Sequence, residues 1–328
     1  MAEIIGNAND DFLFGTPAAD RIFGAGGNDD ILAEAGDDFV DSGTGNDFVD
    51  ANTGSDRIFG NDGNDRLYGN DGDDLIIDGG NDNDTLLGGA GNDTLLGDNG
   101  DDWLDGQTGI NNLIGGAGND TYVINSRADS LYEAPNAGSD TVLSGFRYTL
   151  PRDFENLALV GDAPLTGRGN NASNTLRGNN ARNRLFGLGG NDRLLGQGGD
   201  DVLVGSDGSD ELYGGRGRDT LTGGAGSNRF CFESRNEGRD RITDFVASRD
   251  TIGVLRSGFG RNLSRGTLSS NRLRVGSSAT SEADRFVYDP SRGALYFDPD
   301  GSGSSRQIEI ASLAKNLDFT HRNIVVIT

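Results

Sequence analysis

One cysteine, Cys231, is too few for an internal disulfide. It sits in the strand-like run RFCFE, where a small apolar side chain belongs to a core. One histidine, His321, lies near the C-terminal end. Such scarcity leaves no donor set for zinc or copper. It also leaves no H-E-x-x-H pair for a metalloprotease and no G-x-S-x-G serine with acid and His partners. No run approaches the ~20 apolar residues of a membrane-spanning helix. The opening MAEIIGNANDDF has neither the basic n-region nor the apolar h-region of a Sec signal peptide. Basic residues are missing where acidic ones crowd. Residues 1–123 carry 27 acids against 3 arginines, whereas residues 124–328 carry 25 of each sign. The whole net charge of −24 therefore lies in the first stretch, which argues against nucleic acid as a partner.

What the chain has is glycine, 54 residues of it, and a beat of nine. GAGGNDDIL from Gly24, GNDGNDRLY from Gly60, GGAGNDTLL from Gly88 and GGAGNDTYV from Gly115 share the pattern G-G-x-G-x-D-x-U-x, with U large and apolar. Repeats start at 6, 15, 24, 33, 42, 51, 60, 69, 79, 88, 97, 106 and 115, and one extra residue near Ile77 and Asp78 interrupts the count. The U positions are Leu13, Ile22, Ile31, Val40, Val49, Ile58, Leu67, Ile76, Leu86, Leu95, Leu104, Leu113 and Tyr122. A fixed period of this kind marks a solenoid. A disordered Gly/Asp linker would need no periodic apolar residue.

Glycines at positions 1, 2 and 4 permit the positive φ of tight turns. The segment x-U-x is then a short strand whose U side chain points to one face. Two nonapeptides make one flattened coil, and coils stack as parallel strands about 4.8 Å apart. Position-6 residues fall into two files, one along each edge. One is Asp11, Asp29, Asp47, Asp65, Asp84, Asp102 and Asp120; the other is Asp20, Asp38, Asp56, Asp74, Asp93 and Asn111. Carboxylates about 5 Å apart repel by roughly 0.8 kcal/mol per pair even in water. About ten such pairs would consume the ~5–15 kcal/mol that holds a domain together. Cations must lie between them. Carboxylates with turn carbonyls offer only oxygen, which suits Ca²⁺ better than the strictly octahedral Mg²⁺.

These nonapeptides resemble the RTX, or hemolysin-type, calcium-binding repeats of bacterial secreted proteins. The resemblance implies an all-β fold, a parallel β-roll solenoid in two repeat blocks followed by a β-rich capping domain. It implies that each Ca²⁺ is held by turn carbonyls and by the position-6 Asp of two same-edge neighbours, such as Asp29 with Asp47 or Asp38 with Asp56. Counted that way, the first block holds about ten ions, and Asp93 with Asn111 adds a weaker one. The resemblance also implies type I secretion with an uncleaved C-terminal signal, hence an extracellular protein. The final NIVVIT after LDF is compatible with that route.

The chain divides into the first block (1–123), a spacer (124–168), a second block (169–231) and a C-terminal capping and secretion domain (232–328). Strands are expected in DTVLSGFRYTL and ENLALVG of the spacer, which shows no chemistry-bearing motif. In the second block the U residues are Leu176, Leu185, Leu194, Leu203, Leu212, Leu221 and Phe230. Position 6 is Asn174, Asn183, Asp192, Asp201, Asp210, Asp219 and Asn228. Asp192 with Asp210 and Asp201 with Asp219 give two or more calcium ions, and the Asn-bearing coils should need less metal. The run GRDRITDFVASRD, with Asp240, Ile242, Asp244 and Phe245, resembles the domain that follows the repeats in RTX proteins and serralysin-type proteases. In DPDGSGSSRQIE, the residues Asp298, Asp300, Ser302 and Glu309 fit EF-hand spacing, but strand-like flanks favour a plain hairpin over an accessory calcium loop.

The expected function is calcium binding by a secreted, non-enzymatic β-roll that folds as Ca²⁺ fills its turns. Two other readings stand beside it. One is an adhesion, surface-layer or matrix scaffold with calcium as cement and a cell-surface or matrix partner. The other is an unrecognised hydrolase.

Overall fold

The computed structural model describes residues 1–260 and 262–328. The chain forms two compact units, Met1–Gly145 and Phe146–Thr328. Both are built almost wholly of short strands in parallel ladders. Among the described residues, no helix is long and apolar enough to cross a membrane.

In the first unit, one sheet runs Glu3–Ile5, Arg21–Phe23, Phe39–Thr44, Arg57–Asp62, Ile76–Asn81, Thr94–Asn99, Asn112–Ala117 and Ser130–Tyr132. The other runs Phe12–Phe14, Asp30–Leu32, Phe48–Asp50, Arg66–Asp71, Thr85–Ala90, Trp103–Thr108, Thr121–Ile124 and Thr141–Ser144. Each strand pairs with the one a full coil away, so Ile22 lies opposite Val40 and Val40 opposite Ile58. Alternation along each strand turns U inward. From Ile22 to Tyr122 the U residues have no exposed surface, which is the thin shared core the period demands.

Two expectations need correction. The buried residue of the eighth repeat is Ile77, paired with Ile58 and Leu95, and not Ile76. The extra residue lies between Asp74 and the strand. There Leu75 bulges outward, 51% exposed, so that the next residues re-enter in register. Glycine at position 1 does not use positive φ. Positions 2 and 4 do, as at Gly43 (φ 103°) and Gly45 (φ 132°).

The second unit repeats the plan. Leu176, Leu185, Leu194, Leu203, Leu212, Leu221 and Phe230 are fully buried. One ladder passes from Asn156–Leu159 through the repeats to Arg229–Phe232, Thr251–Leu255 and Ile324–Ile327, all parallel. The other reaches Asp240–Ile242 and Ile308–Ser312, then turns antiparallel through Ala294–Phe297 and Phe286–Asp289. Phe297 packs edge to face on Phe259 and Phe286, with centroids 5.2 and 5.4 Å apart, and Phe259 lies tilted against Phe286 at 5.9 Å. This aromatic filling is available because the beat of glycines has ended, and bulky side chains now have room.

Candidate metal centres along the coil edges

Each position-6 side chain is placed by the two features that flank it. The turn of positions 1–5 ends there, and the strand that buries U begins there. The result is a file in which one carboxylate oxygen is used by the protein and the other is not. Oδ1 of each Asp accepts the backbone N–H of the position-6 residue one coil earlier. Asp11 donates to Asp29 (2.8 Å), Asp29 to Asp47 (2.8 Å), Asp47 to Asp65 (2.8 Å) and Asp65 to Asp84 (2.8 Å). Asp84 donates to Asp102 (2.8 Å) and Asp102 to Asp120 (2.8 Å). On the opposite edge the order is Asp20, Asp38, Asp56, Asp74, Asp93 and Asn111, at 2.7–3.0 Å. The structure thus brings together the same-edge neighbours expected from the period.

Oδ2 is the other half of the site. In Asp29, Asp38, Asp47, Asp56, Asp65, Asp74, Asp84, Asp93, Asp102 and Asp120 it is buried with no hydrogen-bond partner. A buried, unpaired carboxylate oxygen is costly unless something cationic reaches it. Position 1 shows where that oxygen points. A Cβ at Gly60 would press on Asp65 Oδ2 and on the carbonyl oxygen of Gly79, one coil later. At Gly97 the same two groups are Asp102 Oδ2 and the Gly115 carbonyl. Glycine is therefore used at position 1 for clearance, and the cleared space is lined by carboxylate and carbonyl oxygen. That donor set fits a hard cation such as Ca²⁺.

In the absence of a cation, the same burial raises the carboxyl pKa values. Desolvation is the largest cause, and neighbouring carboxylates add to it. Asp56, Asp65 and Asp74 rise to about 7, and Asp84 to about 8.

The first rungs differ. Asp11 Oδ2 accepts the Asn7 N–H at 2.6 Å, and Asp20 Oδ2 accepts the Thr16 N–H at 2.7 Å. These turns close on themselves. At Asn111, Oδ1 accepts from Asp93 while Nδ2 is the buried, unpaired atom, so a donor group replaces an acceptor in that space.

In the second unit Asp192 pairs with Asp210 (2.9 Å) and Asp201 with Asp219 (2.8 Å). All four have a buried, unpartnered Oδ2. Asn174 and Asn183 instead turn Oδ1 back onto the N–H of Asn170 and Asn179, each at 2.8 Å.

Sequence reasoning stopped the ladder where the nine-residue beat stopped, but the rungs continue. Asn111 donates to Asp129 (3.0 Å), Asp120 to Asp140 (2.8 Å), Asp219 to Asp240 (3.1 Å) and Asn228 to Asp250 (3.0 Å). The available signal was D-x-U without its glycine turn: Asp129-Ser-Leu, Asp140-Thr-Val, Asp240-Arg-Ile and Asp250-Thr-Ile. The spacer thus does carry chemistry.

The DPDGSG loop is the hairpin between Ala294–Phe297 and Ile308–Ser312. Asp298 Oδ1 accepts the Gly301 N–H at 2.9 Å, and Asp300 Oδ2 accepts the Ser305 N–H at 2.9 Å. The backbone N–H of Ser302 is bonded to Ser281, and Glu309 lies in the strand with its carboxylate 3.4 Å from Arg239. Strands flank the loop, without the paired helices of an EF-hand.

Two solved structures are among those to which the chain is similar. One is the AlgE6R3 subunit of the Azotobacter vinelandii mannuronan C5-epimerase, at 26% identity over 47% of this chain and 78% of that one, TM-score 0.21. The other is the extracellular lipase LipA of Serratia marcescens, at 18% identity over 88% of this chain and 45% of that one, TM-score 0.20. No curated protein matches the sequence. A family model, the RTX calcium-binding nonapeptide repeat (4 copies), matches residues 5–40, 41–76, 78–113, 96–123, 168–203 and 195–230. Those segments cover more than half of the chain and contain every file of unpartnered carboxylates between Asp29 and Asp120. The chain belongs to the RTX calcium-binding nonapeptide repeat family, and its repeats are of the calcium-binding kind.

Proposed function

We propose that this is an extracellular, non-catalytic protein whose β-roll folds when Ca²⁺ fills the spaces between neighbouring coils. The observation that carries the proposal is the pair of files of buried Oδ2 atoms without partners. In the absence of cation each coil closure adds another desolvated charge beside the last. With Ca²⁺ in place the same closure satisfies two carboxylates and the turn carbonyls. Folding and binding then become one equilibrium. A chain of this kind stays open where free calcium is low and closes where it is high, which suits passage out of a cell before folding. The residues named as metal ligands are Asp29 to Asp120 in the first unit and Asp192, Asp201, Asp210 and Asp219 in the second. Same-edge pairs among these residues give about eight ions in the first unit and two or more in the second.

The test is far-UV circular dichroism of the full chain, titrated with Ca²⁺ from EGTA and with Mg²⁺ in parallel. A cooperative coil-to-β transition specific to Ca²⁺ is expected. An unchanged β spectrum in excess EGTA would show that the apolar core suffices without metal.

A further inference from the structure

We propose that Asp120, Glu133 and Asp140 form a three-carboxylate site for a hard divalent cation, distinct in composition from the two-carboxylate spaces between nonapeptides. Glu133 belongs to the wider coil that follows the last repeat, outside any nonapeptide. Carboxylate oxygens of the three residues all lie within 4.8 Å of one another, and all three side chains are buried. Two oxygens bound to one Ca²⁺ at about 2.3–2.6 Å can be no farther apart than about 5 Å, so a single ion can reach all three.

The cluster is more than a collection of acids. Glu133 is 95% buried, its relative exposure being 5%, and its Oε2 has no hydrogen-bond partner. Asp120, 1% exposed, likewise has an unpartnered Oδ2. Both carboxylates line the same cradle, Asp120 with its bare Oδ2 and Glu133 with Oε1. A Cβ on Gly115 would collide with Asp120 Oδ2, Glu133 Oε1 and the Tyr122 hydroxyl together. That Glu133 oxygen is held in place. Tyr122 donates its hydroxyl to Glu133 Oε1, and that hydroxyl accepts the Gly115 N–H at 2.5 Å. Tyr122 is the one U residue of the first block with a polar end. Its ring fills the core position while its hydroxyl fixes the glutamate. Asp140 Oδ1 receives the Asp120 N–H at 2.8 Å, which ties the wider coil to the last nonapeptide. Three formal negative charges, against two in the repeat spaces, favour tighter binding of Ca²⁺ and of the trivalent probe Tb³⁺.

The experiment uses the full chain. Bound calcium is counted by equilibrium dialysis for the parent, Glu133→Gln and Asp65→Asn, with circular dichroism to report folding. Terbium luminescence excited through tyrosine is then compared between the parent and Tyr122→Phe. Glu133→Gln should bind one ion at least several-fold more weakly than the parent at limiting calcium, while retaining its β spectrum. Tyr122→Phe should keep its terbium capacity and lose part of the tyrosine-sensitised emission. The emission arm decides if Glu133→Gln fails to fold. A parent that binds calcium, with Asp65→Asn reduced but Glu133→Gln unchanged, would overturn this site and leave the repeat sites standing. Emission unchanged in Tyr122→Phe would also overturn it. A parent that binds no calcium would overturn both readings.

Discussion

The coils around Asp65 and the coils around Asn183 share one backbone plan and solve the same problem in opposite ways. At Asp65, Oδ1 joins the next coil back, Oδ2 is left buried and bare, and the carboxyl is raised to about 7. At Asn183, Oδ1 closes its own turn on the Asn179 N–H (2.8 Å) and Nδ2 reaches Asn179 Oδ1 (3.0 Å). One turn is an open socket for a cation; the other is a closed knot of amides. The difference of one atom, O for N, separates a turn that leaves a buried oxygen bare from one that completes itself. The charge that makes a calcium site is also what makes the empty site unfavourable.

The strongest way to break this comparison is to remove calcium and watch the two regions separately. Hydrogen exchange in EGTA should erase protection along Asp56–Asp102 and retain it longest around Asn174–Asn183. Equal loss in both regions would sink the contrast. Next in size is the apolar core, which should not distinguish them. Leu104→Ala and Leu185→Ala should each cost about 2–5 kcal/mol in saturating calcium, measured by denaturant unfolding. A much smaller cost at one site would mean that metal rather than packing holds that coil.

Acid should act in place of calcium. Asp56, Asp65, Asp74 and Asp84 rise from 3.8 to about 7 or 8 in the metal-free roll. The folded state therefore binds more protons than the unfolded chain. Its stability is greatest below about pH 4 and is lost as pH rises through 7 to 8. In EGTA, β structure should return as pH falls across that window, and in calcium the apparent affinity should weaken over the same range. An EGTA spectrum independent of pH would contradict the burial argument.

Single exchanges sharpen the point further. Asp65→Asn should lose about 1–3 kcal/mol in calcium, where a charged ligand is missing, and gain stability in EGTA, where a bare charge is removed. The reverse change, Asn183→Asp, should be the mildest. It should destabilise the second unit in EGTA by a fraction of that amount and leave it nearly unchanged in calcium. The same sign for both variants in both conditions would refute the one-atom account.

Much of this was legible from residue spacing alone. The strands, the inward U residues and the two files all follow from a nine-residue period, because a period of two within x-U-x and a repeated turn leave few alternatives. What the period could not show is where it bends. The position of Ile77 depends on which residue of an inserted loop is ejected, and that is settled by packing against Ile58 and Leu95. Position-1 glycine looked like a matter of backbone freedom, but its reason is the oxygen-lined space across the coil. Asp140 and Asp240 had a readable D-x-U beginning without its turn. Glu133 had no sequence signal, since its partner is the hydroxyl of a residue that otherwise reads as core.

The rung-to-rung hydrogen bond survives steps of 18, 19, 20, 21 and 22 residues, from Asp47–Asp65 to Asn228–Asp250. What is inherited from coil to coil is thus a docking point rather than a length. Extra chain can be spliced into the outer bend without shifting the phase of anything downstream, as Leu75 does with a single residue. The roll is in this sense a cassette holder, with a port for foreign peptide at every turn.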